Sequence, residues 1–345
     1  MTDQLVLPTA PSLGAAAGTG QLLPDGGLLL GVDLGGTKLR AALADEAGTI
    51  LAEIVEPAIG GTVEAIVAQV VAVREQLAAR AGRPSWAVRV AGIALPVALR
   101  PGSGLAWSTG NIRGLEGVAA DAVFAQALGI PVVVENDANC AALGEGRAGA
   151  AAGESDYAVV AIGTGIGGGI VSGGRLLRGA RGGAGEVAFL PIGGDPWTAR
   201  GRASGAYETA VAGPAIVARL DDALGAGEAS RLIPGSRLEA IAEAAAAGDA
   251  LASRLLDEEA RLVALGIAAI WAVVDPALVV LSGGVGAVGG LPAPARAHVA
   301  TLCAEPPRIV TGLLGERAPL VGALHLAAAV AEERLLAVDE ATDDR

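Results

Sequence analysis

Aromatic side chains are scarce, at 2 % of the residues, although hydrophobic residues make up 52 %. The apolar mass is therefore Ala, Val and Leu, interspersed with 52 Gly. That composition suits strands and helices with close backbone packing and many tight turns. It excludes a disordered chain, which lacks the apolar residues to collapse. Cysteine is nearly missing: Cys140 and Cys303 are the two present. Neither a disulfide framework nor a cysteine-rich metal site can be built from them. Lysine is rarer still, since Lys38 is the one in the chain and the other basic residues are arginines. A GC-rich genome would account for that bias, so composition alone carries little about function.

Positive charge is also in deficit; the formal net charge is −13. A protein that grips a phosphate backbone usually carries a basic face, so no nucleic-acid partner is expected. A small basic cleft for a nucleotide is compatible with an acidic exterior. The longest apolar runs are broken by Gly or charge, which predicts no transmembrane helix and no membrane partner. The opening Met-Thr-Asp-Gln lacks the basic stretch of a signal peptide, and Pro8 and Pro11 interrupt the mild apolar run behind it. A cytoplasmic protein is the expectation. Its 345 residues are too many for one small core and suffice for two α/β lobes.

Residues 1–27 lack clean periodicity and read as a flexible tail, too short and too poor in basic residues for a helix-turn-helix domain. The dense apolar run 28–34 ends in Gly35-Gly36; 39–44 and 50–55 follow, which predicts three consecutive antiparallel strands with tight turns. Helical spacing covers 62–81. A buried strand over 88–95 stops at Pro96, and a helix over 118–128 is capped by Gly129. The strand 131–134 then delivers Glu135-Asn136-Asp137 to its C-terminal end, ahead of a helix over 138–148. After the polar break at 153–156 the layout repeats: strand 157–162, glycine turn 163–169, strand 170–172, turn Gly173-Gly174. The repeat reads as a weak internal duplication, one copy per lobe. Helices follow at about 207–226, 236–247 and 249–272. A strand at 277–281 leads into Ser282-Gly283-Gly284, and a last helix, about 320–337, precedes an acidic tail at 338–345. Ligands of open α/β sheets bind beyond the C-terminal strand ends, where Asp137 stands.

Four segments carry chemistry. In Asp33-Leu34-Gly35-Gly36-Thr37-Lys38 the glycines let backbone N–H groups approach phosphate oxygens. Asp33 can hold Mg²⁺ through water, and Thr37 and Lys38 can reach phosphates. The alternative is a plain hairpin. No helix opens from this turn, so it is neither a P-loop nor a dinucleotide fingerprint. Gly163-Thr164-Gly165-Ile166-Gly167 is a second cradle of the same kind, whose many glycines cost backbone entropy. Glu135-Asn136-Asp137 offers Asp137 either as a helix N-cap or as a general base, and the two roles can coexist. Phosphoryl transfer has a loose transition state, so the base needs positioning more than deep activation. Cys140 reads as packing. Glu186 and Glu208 are carboxylates able to accept from sugar hydroxyls, though either alone reads as surface.

These segments, in this order and spacing, resemble the ROK family of sugar kinases and repressors over roughly residues 28–335. The resemblance implies a two-lobed α/β, actin-like ATPase (ribonuclease H-like) fold with the active site in the interlobe cleft, where the two glycine turns face each other. The small lobe would take in 28–137 with about 320–337, and the large lobe 138–319. It implies an ATP- and Mg²⁺-dependent kinase acting on the 6-hydroxyl of a hexose, glucose by default. Asp137 would be the base. Asp33, Gly35, Gly36, Thr37, Lys38, Gly163, Thr164, Gly165 and Gly167 would meet the phosphates and metal, and Gly283 and Gly284 the adenosine. Asn111, Asn136, Glu186 and Glu208 would meet the sugar. A homodimer is also implied.

The chain departs from the family where a His and a Cys cluster usually bind zinc. It reads Glu186-Val187-Ala188-Phe189, and 192–206 contains no cysteine. Zinc needs about four N, S or O ligands, so no structural zinc is expected. Phe189 in place of an imidazole implies an altered sugar pocket, with Trp197 and Arg200 or Arg202 candidates to fill it. His298 and His325 read as structural or surface residues. A modified amino-hexose such as kanosamine is the alternative substrate. A non-catalytic sugar or nucleotide sensor and an actin- or heat-shock-type ATPase are the competing classes; the retained Asp137 and the sugar-kinase spacing argue against them.

Overall fold

The computed structural model describes residues 27–108 and 112–343, with side chains described as far as residue 333. Asn111 and nearly all of the expected tail lie outside the described residues. The chain divides into two compact units. The first holds β1 (Leu28–Leu34), β2 (Lys38–Ala44), β3 (Ile50–Pro57), α1 (Val63–Arg80), β4 (Val88–Leu95), β5 (Ala98–Leu99), β6 (Ala106–Ser108), α2 (Ala120–Leu128), β7 (Val132–Asn136) and α3 (Asp137–Ala148). The second holds β8 (Tyr157–Ile162), β9 (Ile166–Ser172), β10 (Arg175–Leu176), α4 (Ala199–Ser204), α5 (Ala206–Val211), α6 (Gly213–Gly225), α7 (Leu238–Ala246), α8 (Ala250–Val274), β11 (Leu278–Ser282), α9 (Gly283–Gly286), α10 (Pro292–Leu302) and β12 (Arg308–Thr311). The chain then returns to the first unit as α11 (Ala318–Asp343).

Each unit is built on a five-stranded mixed sheet, in the orders β3-β2-β1-β4-β7 and β10-β9-β8-β11-β12. The two orders match strand for strand. In both, an antiparallel three-strand meander is extended by two parallel strands. The duplication expected from the repeated glycine turns is therefore present in the topology.

Alternation explains the first core. Leu28, Leu30, Val32 and Leu34 of β1 pack into the cluster that contains Ile66, Val70 and Leu77 of α1. Leu29 faces the other way, onto Leu320, Leu324 and Ala327 of α11. A strand covered on both faces reads as a continuous apolar run, which is why 28–34 was legible. Thr62 opens α1 by accepting from the Ala65 N–H, and α2 stops at Gly129 with φ of 68°. The second unit buries its own cluster, with Ile216, Leu255, Val263 and Ile267 from the helices against Val160, Ile162, Val279 and Leu281 from the sheet.

α11 approaches the sheet and α3 at backbone distance. A Cβ on Gly322 would lie 1.8 Å from the Cys140 carbonyl oxygen, and one on Gly92 would lie 1.9 Å from that of Ala323. This contact draws α3 into the first unit, so the division expected after Asp137 falls after Gly149.

Three expectations are corrected. The glycine turn spans only 163–165; Gly167, Gly168 and Gly169 are strand residues paired with Ala161, Val160 and Val159. The helix expected at about 207–226 breaks at Ala212. Pro214 has no N–H to donate to the Ala210 carbonyl, and Arg219 Nη1 supplies that bond instead, at 2.6 Å. The last helix runs to Asp343 and absorbs most of the expected acidic tail, since no Gly or Pro intervenes to stop it. Among the described residues no helix is long and apolar enough to cross a membrane.

Replacing Gly322 by Ala tests the close crossing. Ala normally gains about 1 kcal/mol over Gly inside a helix, but here a methyl group would meet backbone that cannot yield. A net loss of about 2–3 kcal/mol is expected, read as a lowered midpoint in thermal or urea unfolding.

Candidate active site

In the first unit β1, β4 and β7 are parallel neighbours. Asp33 pairs with Ala94, and Ala94 pairs with Glu135. Asp33 and Glu135 therefore stand on one rung, two strand spacings or about 10 Å apart along the sheet. Beyond Asp33 the chain turns tightly, with the Gly35 N–H donating to the Lys38 carbonyl at 2.9 Å. Leu34 and Leu39 are buried on either side, while Gly36, Thr37 and Lys38 are exposed. Lys38 is the first residue of β2, not part of the loop itself.

Beyond Glu135 the strand passes straight into α3. Asn136, not Asp137, is the N-cap: its backbone is extended (φ −58°, ψ 140°) and its side-chain oxygen accepts from the Asn139 N–H at 3.0 Å. The expected capping role of Asp137 is corrected accordingly. Asn136 also donates through Nδ2 to the Val97 carbonyl at 3.1 Å. Asp137 is the first helical residue, half-buried, with Oδ1 accepting from the Ala138 N–H at 2.8 Å. In the first turn its carboxylate is favoured by the helix dipole.

Glu135 is buried and fully engaged. Its Oε1 accepts from the Asn136 N–H and from Asn139 Nδ2, both at 2.9 Å, and its Oε2 accepts from Arg178 Nε at 2.6 Å. Neither residue had been assigned a role from the sequence. A carboxylate at the end of an apolar strand was a signal; Arg178, distant in sequence, offered none. Cys140 lies one turn into α3 with no exposure. Burial pushes its thiol well up, the negative charges of Glu135, Asp137 and Asp33 push the same way, and Arg178 opposes them. One buried sulfur thus feels all three carboxylates and the guanidinium, and it is a packing residue.

In the second unit Gly163-Thr164-Gly165 forms the turn between β8 and β9. The Gly163 N–H donates to the Gly165 carbonyl at 2.8 Å, and the Gly213 N–H, at the start of α6, donates to the Gly163 carbonyl at 2.7 Å. Thr164 is exposed. Gly283 opens α9 with φ of +77°, and a Cβ there would lie 2.4 Å from the Ile162 carbonyl oxygen. A Cβ on Gly163 or Gly284 would meet nothing within 4 Å. The turn and the starts of α6 and α9 therefore converge as a glycine-lined backbone surface from which the Thr164 side chain projects, and Gly167 lies just inside β9.

Glu208, expected to reach sugar, is placed under this turn. Its Oε2 accepts from the Ile166 N–H at 3.0 Å and fills the space where a Cβ of Gly165 would stand. Glu186 is exposed at the head of a short 3₁₀ turn, Val187–Phe189, and partial desolvation raises its carboxyl above the usual range. Phe189 is 51 % exposed and Trp197 81 %. Trp197 therefore fills no packed pocket; its carbonyl accepts from Arg202. His298 pairs with Asp257 at 2.8 Å. Among the described residues no three His, Cys, Asp or Glu side chains group around a possible metal position. A single carboxylate such as Asp33 remains chemically suited to Mg²⁺, which keeps several waters and takes substrate phosphates as ligands.

Comparison with known proteins brings these features together. The ROK family model matches residues 29–330. The bifunctional enzyme NanE/NanK of Brucella suis is 40 % identical over 203 residues, 59 % of this chain, which spans only 36 % of that protein's length. The N-acetylmannosamine kinase of Escherichia fergusonii is 34 % identical over 300 residues, covering 83 % of this chain and 96 % of that one. The crystal structure of a ROK family glucokinase from Streptomyces griseus, in complex with glucose and AMPPNP, superposes with a TM-score of 0.71 at 31 % identity, over 87 % of this chain and 99 % of that one. The fold is the actin-like ATPase fold of that family.

The α5–α6 elbow behind Glu208 yields a pH prediction. Arg219 bridges the Ala210 carbonyl and the buried Glu259. Burial pushes the Glu259 carboxyl up to about 7, with Arg219 opposing. Below the ordinary value of 4.5 the folded and unfolded chains both hold the proton. Between 4.5 and about 7 only the folded chain holds it, so stability falls as pH rises through that window, by at most about 3 kcal/mol. Glu259→Gln is expected to flatten the thermal midpoint between about pH 5 and 8.

Proposed function

Because the chain belongs to the ROK family, we propose that it is an ATP-dependent sugar kinase that phosphorylates the 6-hydroxyl of a hexose, with glucose as the default sugar and Asp137 as general base. The observation that carries this reading is the division of labour at the start of α3. Asn136 takes the capping bond to Asn139, and Asp137 stands beside it as the first residue of the helix, at the C-terminal end of β7. A base in this position orients the attacking hydroxyl and accepts its proton late, as a loose phosphoryl-transfer transition state requires. ATP would supply the phosphoryl group, and a bound Mg²⁺ would supply charge neutralisation. Asp33 would hold the metal through water. The exposed hairpin Gly35-Gly36-Thr37-Lys38 and the turn Gly163-Thr164-Gly165 would present N–H and hydroxyl donors to phosphates, with Gly283 and Gly284 beside the adenosine. Asn111, Asn136 and Glu186 would meet the sugar. Glu208 would act through the turn it braces.

A modified amino-hexose is the second reading. Phe189, where the family carries a hydrogen-bonding His, supports it, as does the 34 % identity to an N-acetylmannosamine kinase. A buried sugar hydroxyl left unpaired opposite a phenyl ring costs about 1–3 kcal/mol, which would favour a sugar differing at that position.

ADP release measured over glucose, mannose, fructose, N-acetylmannosamine and kanosamine distinguishes the two readings, and silence with all five sugars sinks the kinase reading. Asp137→Asn is expected to lower kcat by about 10²–10⁴-fold while ATP affinity, read by calorimetry, stays close to that of the unaltered protein. Full activity in that variant would refute the base assignment.

A further inference from the structure

We infer that Glu135 and Arg178 are positioning residues for Asp137, an inference that rests on the kinase reading above. The chain leaves the first unit after Gly149 and returns for six residues, Arg178–Gly183. The returning segment is fastened at three points. Arg178 Nε donates to Glu135 at 2.6 Å, and Trp107 Nε1 donates to the Arg181 carbonyl at 2.6 Å. Gly182 takes φ of +79°, and a Cβ on it would stand 1.8 Å from the Leu99 carbonyl oxygen. The guanidinium is thus delivered to one place by contacts that do not involve Glu135.

What it meets there is the anchor of the catalytic turn. Glu135 is 6 % exposed. Through Oε1 it holds the residue before Asp137, by the Asn136 N–H, and the residue two beyond it, by the Asn139 side chain. A carboxylate in that position stays only while its charge is compensated, because an unpaired buried charge is driven to water or rearranges its surroundings. Arg178 is its one ion-pair partner among the described residues. Loss of the guanidinium is therefore transmitted through Glu135 to the two bonds it makes on either side of Asp137. Arg178 itself is 44 % exposed, so shortening it opens no core cavity. The effect is one of charge and bonding, not of packing.

Three variants test this: Arg178→Ala, Arg178→Lys and the double variant Arg178→Ala/Glu135→Gln. Arg178→Ala is expected to lower kcat about tenfold or more, as for a small displacement of a reacting group, with the sugar KM little changed. Arg178→Lys keeps the charge but not the Nε geometry and should recover part of the loss. Gln at position 135 keeps an acceptor for Asn136 and Asn139 and removes the uncompensated charge, so the double variant should exceed Arg178→Ala in kcat. An unchanged kcat in well-folded Arg178→Ala, or a double variant no better than the single one, would overturn the inference while leaving the kinase reading intact. If Arg178→Ala does not fold, Arg178→Lys decides, with an unaltered kcat counting against. Hydrogen exchange at the Asn136 and Asn139 amides gives a readout independent of turnover. Faster exchange in Arg178→Ala supports positioning, and unaltered exchange refutes it, even if the parent protein phosphorylates no sugar and the kinase reading has failed.

Discussion

The first unit depends on a backbone-to-backbone contact. Gly322 lets α11 come against the Cys140 carbonyl, and Gly92 lets the sheet come against Ala323. Side chains of any size there would hold α11 away from α3 and from the sheet. Since Asp137 is the first residue of α3, its position relative to Asp33 and Glu135 is inherited from that contact. Cys140 sits at the crossing with no exposure and is close enough to feel the carboxylates around it. A C-terminal helix about 180 residues away in sequence therefore helps set where the carboxylate of Asp137 stands, by shape alone.

The second unit solves a related problem with charge. Its glycine turn carries only the exposed Thr164 side chain, and glycine-rich backbone is costly to order. Glu208 supplies an acceptor for the Ile166 N–H, and the Gly213 N–H closes the turn from the start of α6. Behind these, Arg219 takes the carbonyl that Pro214 cannot serve. The two duplicated sheets thus carry turns of similar plan with different braces: a bond between Gly35 and Lys38 within the hairpin in one, and a borrowed carboxylate in the other.

Much of this was legible in the sequence, for identifiable reasons. β1 and β4 are continuous apolar runs bounded by Gly and Pro, and α2 ends on a glycine that takes a left-handed φ. Glycines 167–169 misled because a residue without a side chain displays no period. Pro214, inside the stretch with helical spacing, separates α5 from α6 because it has no N–H for the Ala210 carbonyl. Asp137 was found at the right strand end, but capping was assigned to it because Asp and Asn are equally good caps, and only the backbone angles separate them. The Glu135–Arg178 pair was beyond reach for another reason. Its partners are 43 residues apart, and they meet only because the chain comes back to the first unit for six residues.

The scarcity of lysine has a chemical consequence. With Lys38 the one lysine in the chain, every side-chain amine in the protein is in the first hairpin, on its exposed edge. A lysine can lose its proton, be acylated or condense with a carbonyl; the arginines elsewhere stay charged and do none of these at ordinary pH. The reactivity of an entire residue class is thereby confined to the start of β2, and a reagent selective for side-chain amines would report on that edge of the hairpin alone.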